Sequence, residues 1–147
     1  VSESPWTASS ILPYIENFYP GVEIVDYRYA DFTVVGGNAL ISDNAIHGVS
    51  ILGQKDNKLW QNVDLANHAV SLYVNDEINV TGSGENVLGS PLIVMAWLAN
   101  HLHGRGKKLE QGDIVTTGTA CSVYYAQAGD IIRADFGELG SVSLSFL

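Results

Sequence analysis

The spacing of apolar and polar residues predicts a chain built mainly from β-strands. Several short stretches alternate with period two or are rich in β-branched and aromatic residues, which is typical of strands. Glycine, asparagine and proline separate these stretches. The predicted strands are residues 22–29, 49–53, 63–65, 70–74, 77–80, 114–117, 122–125, 131–136 and 141–146.

One segment has a clear helical pattern, from Pro91 to His103. Pro91 suits the first helical position and Gly104 suits the stop. Six of its residues are spaced to bury one broad face. They are Leu92, Met95, Ala96, Leu98, Ala99 and Leu102. Shorter helices are predicted at residues 9–18 and 41–45, and turns at 36–38, 75–76 and 82–84. The turn at 75–76 would join two strands as a hairpin.

These elements together predict a strand-rich α+β domain with one main helix at about residues 91–103 and a rolled or sandwiched sheet. A length of 147 residues is that of one ordinary domain with one continuous core. No linker or repeat divides the chain, so residues 1–147 are predicted to form a single domain.

Composition excludes several classes of protein. Hydrophobic residues make up 46% of the chain and charged residues 16%, which argues against disorder. The net charge of -9 argues against binding to nucleic acid or to an anionic membrane surface. The longest apolar stretch, from Pro91 to Ala99, is too short to cross a bilayer. The chain does not begin with methionine, from which we expect a processed or excised fragment.

The possible nucleophiles and ligands have simple structural explanations. Cys121 is the only cysteine, and no activating base lies beside it, so we expect a buried or half-buried thiol in a reducing compartment. Gly82-Ser83-Gly84 lacks the lysine and spacing of a phosphate loop and is interpreted as a flexible turn before the helix.

The histidines give no metal motif. His101 and His103 point to different faces of the predicted helix, which makes them poor joint ligands and favours a structural or solvated role. His47 and His68 have no ligand-like neighbours in sequence, and their roles stay open.

Glu23 stands within an otherwise apolar strand. A buried carboxylate needs a cation, an arginine or a proton, and its oxygens suit Mg²⁺ or Mn²⁺ rather than zinc. The pattern alone fits an exposed strand residue equally well, so both interpretations remain open.

Three stretches follow one another in an order found in a known family. The first is Val22-Glu23-Ile24-Val25-Asp26-Tyr27-Arg28, followed by residues 42–45 and 51–53; the others are residues 87–92 with 96–100, and 112–119 with 128–130 and 139–142. The first is similar to a Glu-Ile-Val-Asp-Ser-Arg strand. Together they resemble the 2-keto-4-pentenoate hydratase and 4-oxalocrotonate decarboxylase branch of the fumarylacetoacetate hydrolase superfamily, in its C-terminal portion.

This resemblance implies a mixed β-roll and a metal-dependent hydro-lyase acting on 2-hydroxy-dienoate or 2-keto acids through a metal-stabilised enolate. A 4-oxalocrotonate decarboxylase, or a non-catalytic domain that keeps the fold for assembly or ligand binding, is the alternative. Glu23 matches a ligand of the family's Mg²⁺ or Mn²⁺, while Gly118 and Thr119 match a loop that lines the substrate pocket. The resemblance also implies a cytoplasmic homo-oligomer active in aromatic catabolism.

The chain departs from the family at several positions. The family's Glu-x-Glu pair and active-site lysine precede the strand of Glu23, whereas the 22 residues before Glu23 contain only isolated glutamates. Lys55 and Lys58 do not match the family lysine, and Ile46 stands where relatives often carry a small or hydroxyl residue. We therefore expect an incomplete metal site and no activity from these residues alone. The sequence assigns no catalytic residue.

Overall fold

Two antiparallel sheets and one long helix make up the described part of the chain. The computed structural model describes residues 5–54 and 60–147. A two-stranded sheet pairs β1 (Gly21–Val25) with β2 (His47–Leu52). A four-stranded sheet has the order β4-β3-β5-β6, formed by β3 (Ala69–Val74), β4 (Glu77–Ser83), β5 (Ile131–Asp135) and β6 (Ser141–Ser145). The helices are α1 (Ala8–Ile11), α2 (Gly37–Ser42) and α3 (Pro91–His103). The predicted strand-rich α+β fold is confirmed.

Helix α3 has the predicted bounds because strong local signals mark both of its ends. The Ser90 hydroxyl accepts a hydrogen bond from the backbone N–H of Leu92, Pro91 occupies the first turn, and Gly104 follows the last residue. The hairpin between β3 and β4 is also confirmed. Asn75 and Asp76 form its two-residue turn with φ values of 50° and 68°, the left-handed geometry that asparagine and aspartate tolerate.

The first part of the chain differs from the prediction in the extent of its helices. The expected helix at 9–18 is shortened to α1, which the Thr7 hydroxyl caps, and a 3-10 turn at Leu12–Tyr14 follows it. Pro13 lies in that turn and has no N–H to continue an α-helix. The loop predicted at 36–38 and the helix predicted at 41–45 are also wrong, because α2 begins at Gly37 and ends at Ser42.

Three predicted strands do not form. Residues 63–65 form no strand, since the Asp64 carboxylate accepts hydrogen bonds from the N–H groups of Ala66 and Asn67 and makes a turn. Residues 114–117 and 122–125 have no ladder partner among the described residues. Alternation favours an extended chain, but a strand forms only where a neighbouring strand pairs with it.

The predicted flexible turn at 82–84 is also wrong. Strand β4 continues through Ser83, and both glycines lie in close contact with other backbone segments. A Cβ at Gly82 would lie 2.0 Å from the carbonyl oxygen of Ala120, and one at Gly84 would lie 1.7 Å from that of Leu65. The glycines are therefore needed for close backbone packing.

The core of the described residues has two apolar clusters that meet at Ile15. In the first, Trp6 and Ile11 pack on α3 through Ala96 and Ala99. The second is formed by Trp60, Leu65 and Leu139, with Leu92 of α3 against it. Helix α3 therefore joins the N-terminal segment to the larger sheet.

A pair of hydrogen bonds fixes the N-terminal segment to α3. The side-chain amide of Asn100 accepts a hydrogen bond from the Trp6 N–H at 2.7 Å and donates one to the Trp6 carbonyl at 2.9 Å. Both backbone groups of Trp6 are thus satisfied by one side chain as the indole enters the core.

Candidate functional site

A large cavity lies between the two sheets, α3 and the segment of residues 113–127. It has a volume of about 1120 Å³, and most of its lining is apolar. Glu23, Gly118 and Thr119, which are separated by almost a hundred residues in sequence, all line it. The structure therefore brings the three predicted site residues to one cavity. A volume of this size accommodates a small organic acid.

Glu23 contributes a carboxylate at the edge of this cavity. Its side chain is 41% exposed, and Oε1 lies 2.7 Å from Nδ1 of His47 on the adjacent strand. A second cavity of about 550 Å³ is lined by Glu23 and His47 together with Asn44, Ser50 and Thr116. Glu23 is the one acidic residue in that lining.

The side chains that line the smaller cavity are of the types that bind a hard divalent cation, but they supply only part of a metal site. Carboxylate, amide and hydroxyl oxygens are the ligands that Mg²⁺ accepts, and side chains of these types line the smaller cavity. The described residues contain no cluster of three or more histidine, cysteine, aspartate or glutamate side chains able to hold a metal. Within residues 5–54 and 60–147, the smaller cavity therefore offers a single anionic ligand, Glu23.

The segment that carries Gly118 and Thr119 is anchored at Ala120. The carbonyl of Ala120 accepts hydrogen bonds from the Ser83 N–H at 3.2 Å and from the Asn86 side chain at 2.8 Å. Gly118 has a φ of +121°, a conformation that side chains disfavour, and a Cβ there would touch Val87 at 3.4 Å. The position of Thr119 is thus set by its two neighbours.

Asp130 holds the far end of the same segment. Its carboxylate accepts hydrogen bonds from the Gln127 N–H at 2.7 Å, the Tyr124 hydroxyl at 2.8 Å and the Asn75 amide at 3.1 Å. The Gln127 N–H, followed by Tyr124, lowers the pKa of Asp130 below its ordinary value, while the same contact raises the pKa of Tyr124. Three stabilising donors explain how this acid is buried with no cationic partner among the described residues.

Cys121 also lines the large cavity and is a free, half-buried thiol, as the sequence predicts. Burial raises the pKa of the thiol, which reduces its thiolate fraction at neutral pH. The site therefore has no activated cysteine nucleophile at this position.

The histidines divide into structural residues and one residue at the site. His101 stacks on Trp97 with ring centroids 4.8 Å apart, and His103 is exposed. His68 lies 2.6 Å from the carbonyl oxygen of Phe136 through Nε2. His47, whose role the sequence leaves open, is the histidine that contacts Glu23. Gly48, which directly precedes the strand predicted at 49–53, is the signal that could have found it, because a glycine within a strand often marks a bulge.

No helix among residues 5–54 and 60–147 combines the length and apolar character needed to cross a bilayer.

Curated relatives align with nearly the whole of this chain. It is 33% identical over 140 residues to 2-keto-4-pentenoate hydratase 1 of Dechloromonas aromatica (strain RCB), covering 95% of this chain and 52% of the relative. It is 33% identical over 137 residues to 4-oxalocrotonate decarboxylase of Pseudomonas putida, covering 93% of this chain and 51% of the relative. The chain thus spans about half the length of the curated relatives it matches.

A solved structure has the same fold. The 4-oxalocrotonate decarboxylase from Pseudomonas putida G7, complexed with magnesium and adipate, superposes with a TM-score of 0.89 at 30% identity. The match covers 100% of this chain and 55% of that one. The family model described as fumarylacetoacetate (FAA) hydrolase C-terminal matches residues 14–146. The chain therefore belongs to the fumarylacetoacetate hydrolase C-terminal family.

Proposed function

We propose that this chain is the C-terminal portion of a metal-dependent hydratase that adds water to 2-hydroxy-dienoate or 2-keto acids. The observation that carries the proposal is the common cavity lined by Glu23, Gly118 and Thr119. The hydratase from Dechloromonas aromatica, 33% identical to this chain, supports the reaction class.

The residues of this chain would bind and orient the acid. Thr119 offers a hydroxyl for a hydrogen bond to a keto or carboxylate oxygen, and Gly118 keeps the adjacent backbone free of a side chain. Leu92, Met95 and Val115 line the same cavity and would surround the hydrocarbon part of the substrate. Such an apolar wall would favour the hydrocarbon part of the substrate over water.

Glu23 would hold the cation, which we propose to be Mg²⁺ or Mn²⁺. When bound, the cation supplies Lewis-acid polarisation of the keto and carboxylate oxygens. Because Glu23 is the one carboxylate that the described residues place at the smaller cavity, any further anionic ligand must come from residues or molecules other than those described.

Decarboxylation is a second candidate reaction. The 4-oxalocrotonate decarboxylase from Pseudomonas putida G7, with a TM-score of 0.89 and 30% identity to this chain, supports it. The two reactions differ in their products. Incubation with a 2-hydroxy-dienoate and loss of its dienol absorbance would indicate hydration, whereas release of carbon dioxide from 4-oxalocrotonate would indicate decarboxylation.

Cation binding tests the proposal most directly. Calorimetric titration with Mg²⁺ and Mn²⁺, with and without pyruvate or oxalate as enolate mimics, would compare the chain with Glu23→Gln. Glu77→Gln, at the exposed first residue of β4, is the matched control. Binding that Glu23→Gln abolishes and Glu77→Gln retains supports the metal-dependent enzyme. Equal binding by all three proteins would contradict it and favour the non-catalytic domain, because the cation would then be held without Glu23.

We also propose a cytoplasmic homo-oligomer. Large apolar side chains are exposed on several elements, among them Trp97, Ile114, Val123 and Tyr125. Three of these four side chains belong to the segment of residues 113–127, and grouped exposed apolar side chains are typical of association surfaces. Light scattering coupled to size-exclusion chromatography would measure the assembly, and a strictly monomeric mass at micromolar concentration would contradict this part of the proposal.

A further inference from the structure

The hydrogen bond between Glu23 and His47 depends on an irregularity in the pairing of β1 with β2. Glu23 pairs with Ser50 and Ile24 with Val49, but Val25 pairs with His47, so the register shifts by one residue. In a regular strand, His47 and Ser50 would point to opposite faces because they are three positions apart. The bulge turns the His47 side chain to the face of the sheet on which Glu23 lies. As a result, Nδ1 of His47 lies 2.7 Å from Oε1 of Glu23.

Gly48 makes this bulge possible. A Cβ at Gly48 would lie 2.7 Å from the carbonyl oxygen of Ile24 and 3.0 Å from Cβ of Asp26. Real Cβ atoms do not approach a backbone oxygen so closely, so no other residue fits without moving β1 away from β2. The direction of the His47 side chain is therefore determined by the residue that follows it.

The residues before His47 are held in an unusual conformation. Asn44, Ala45 and Ile46 have φ values of 53°, 53° and 60°. Left-handed backbone costs about 1–2 kcal/mol for each residue with a side chain, and such strain is typical of functional sites. Asn44 and Ala45 line the smaller cavity beside Glu23.

One oxygen of Glu23 is bonded to His47, and the described residues make no other hydrogen bond to this carboxylate. A carboxylate only accepts, so Nδ1–H of His47 is the donor. Oε2 remains for a ligand in the cavity that both side chains line. Hydrogen bonds of this kind orient metal-binding carboxylates, and their loss typically weakens metal affinity 10–100-fold.

We propose that His47 is a positioning residue, which fixes the Glu23 carboxylate through Oε1 so that Oε2 is presented to a divalent cation. The inference rests on the proposed function, since it needs Glu23 to be a cation ligand. In this arrangement His47 would act through the Glu23 carboxylate and not as a ligand of the cation.

The test is Mn²⁺ titration calorimetry on the whole chain and on four variants. His47→Asn keeps a nitrogen donor near the position of Nδ1, so its dissociation constant should stay within about threefold of that of the original chain. His47→Gln places its nitrogen nearer to Nε2, and His47→Leu has no donor. Both should bind Mn²⁺ about 10–100-fold more weakly. His103→Asn, at an exposed histidine, is the control and should bind as the original chain does.

Glu23→Gln separates the possible failures. If Glu23→Gln abolishes Mn²⁺ binding while His47→Leu and His47→Gln bind as tightly as His47→Asn, the positioning role is overturned and the proposed function stands. If Glu23→Gln leaves the titration unchanged, Glu23 is no ligand, and both proposals fail. Should His47→Leu not fold by circular dichroism, the comparison of His47→Asn with His47→Gln decides: equal affinities overturn the role of His47.

Discussion

Arg28 donates three hydrogen bonds to Asp43. Its backbone N–H donates to Oδ2 of Asp43 at 3.2 Å, its Nε donates to Oδ1, and its terminal nitrogen donates to the Asp43 carbonyl at 3.3 Å. Asp43 is only 6% exposed, and it immediately precedes the left-handed turn that leads to His47. Arg28 therefore anchors the strained turn, and its engaged N–H explains why β1 ends at Val25 rather than at Tyr29.

Loss of this contact should destabilise the fold. Arg28→Met leaves the buried Asp43 carboxylate without its cation, and we expect a clear fall in the urea midpoint of unfolding. Asp26→Asn is the matched control, because Asp26 makes only a 3.7 Å ion pair with Arg28 and its side chain is 74% exposed. Its midpoint should be nearly unchanged. Equal midpoints for the two variants would show that Arg28 does not anchor Asp43.

Ala45→Gly should stabilise the protein. Ala45 has a φ of 53°, so glycine would relieve about 1–2 kcal/mol of strain, while the unfolded chain gains about 0.5–1 kcal/mol of entropy. The free energy of unfolding should rise by about 0.5–1 kcal/mol in urea titrations. Ala39→Gly within α2 should have the opposite sign, a loss of about 0.5–1 kcal/mol. A loss of stability in both variants would refute the strain at Ala45.

Acid should unfold the protein in part through Asp130. Its pKa is lowered in the folded state, first by the Gln127 N–H and then by Tyr124. A lowered pKa stabilises the fold above the unfolded-state value near 3.8, and this contribution disappears as the pH falls through the folded pKa.

The unfolding free energy of Asp130→Asn should therefore depend less on pH below about pH 4 than that of the original chain, and it should be lower at neutral pH. Urea titrations from pH 2 to pH 7 would measure both effects. Asp76→Asn, in the exposed turn between β3 and β4, should keep the original profile.

Gly82→Ala should disturb the segment that carries Thr119. The new Cβ would lie 2.0 Å from the Ala120 carbonyl oxygen, and neither backbone can yield easily. We expect a loss of about 1–3 kcal/mol in unfolding free energy. A Cβ at Gly37, the first residue of α2, would meet no atom of the described residues within 4 Å, so Gly37→Ala should be neutral or slightly stabilising. Equal stabilities would contradict the close approach of β4 to Ala120.

Local signals in the sequence were sufficient for some elements and not for others. Helix α3 and the hairpin at Asn75 could be predicted because their caps and turn residues act over a few positions. The pattern at 114–117 and 122–125 could not show whether strands form there, since a ladder depends on a neighbour far away in sequence.

The residues of the candidate site could also be predicted only in part. Glu23, Gly118 and Thr119 were selected by resemblance, and all three line the same cavity. His47 was not selected, because its contact with Glu23 depends on a one-residue bulge between two strands. A period-two pattern carries no information about such a shift, and only Gly48 marks it.

The bonds between Trp6 and Asn100 also bear on the order of events during synthesis. These residues are 94 positions apart, and translation proceeds at about 5–20 residues per second, so roughly 5–20 s pass before Asn100 follows Trp6 out of the ribosome. Through that interval Trp6 and Ile11 lack the helix on which they pack. The nascent chain therefore presents an indole and an aliphatic side chain to chaperones until its main helix has emerged.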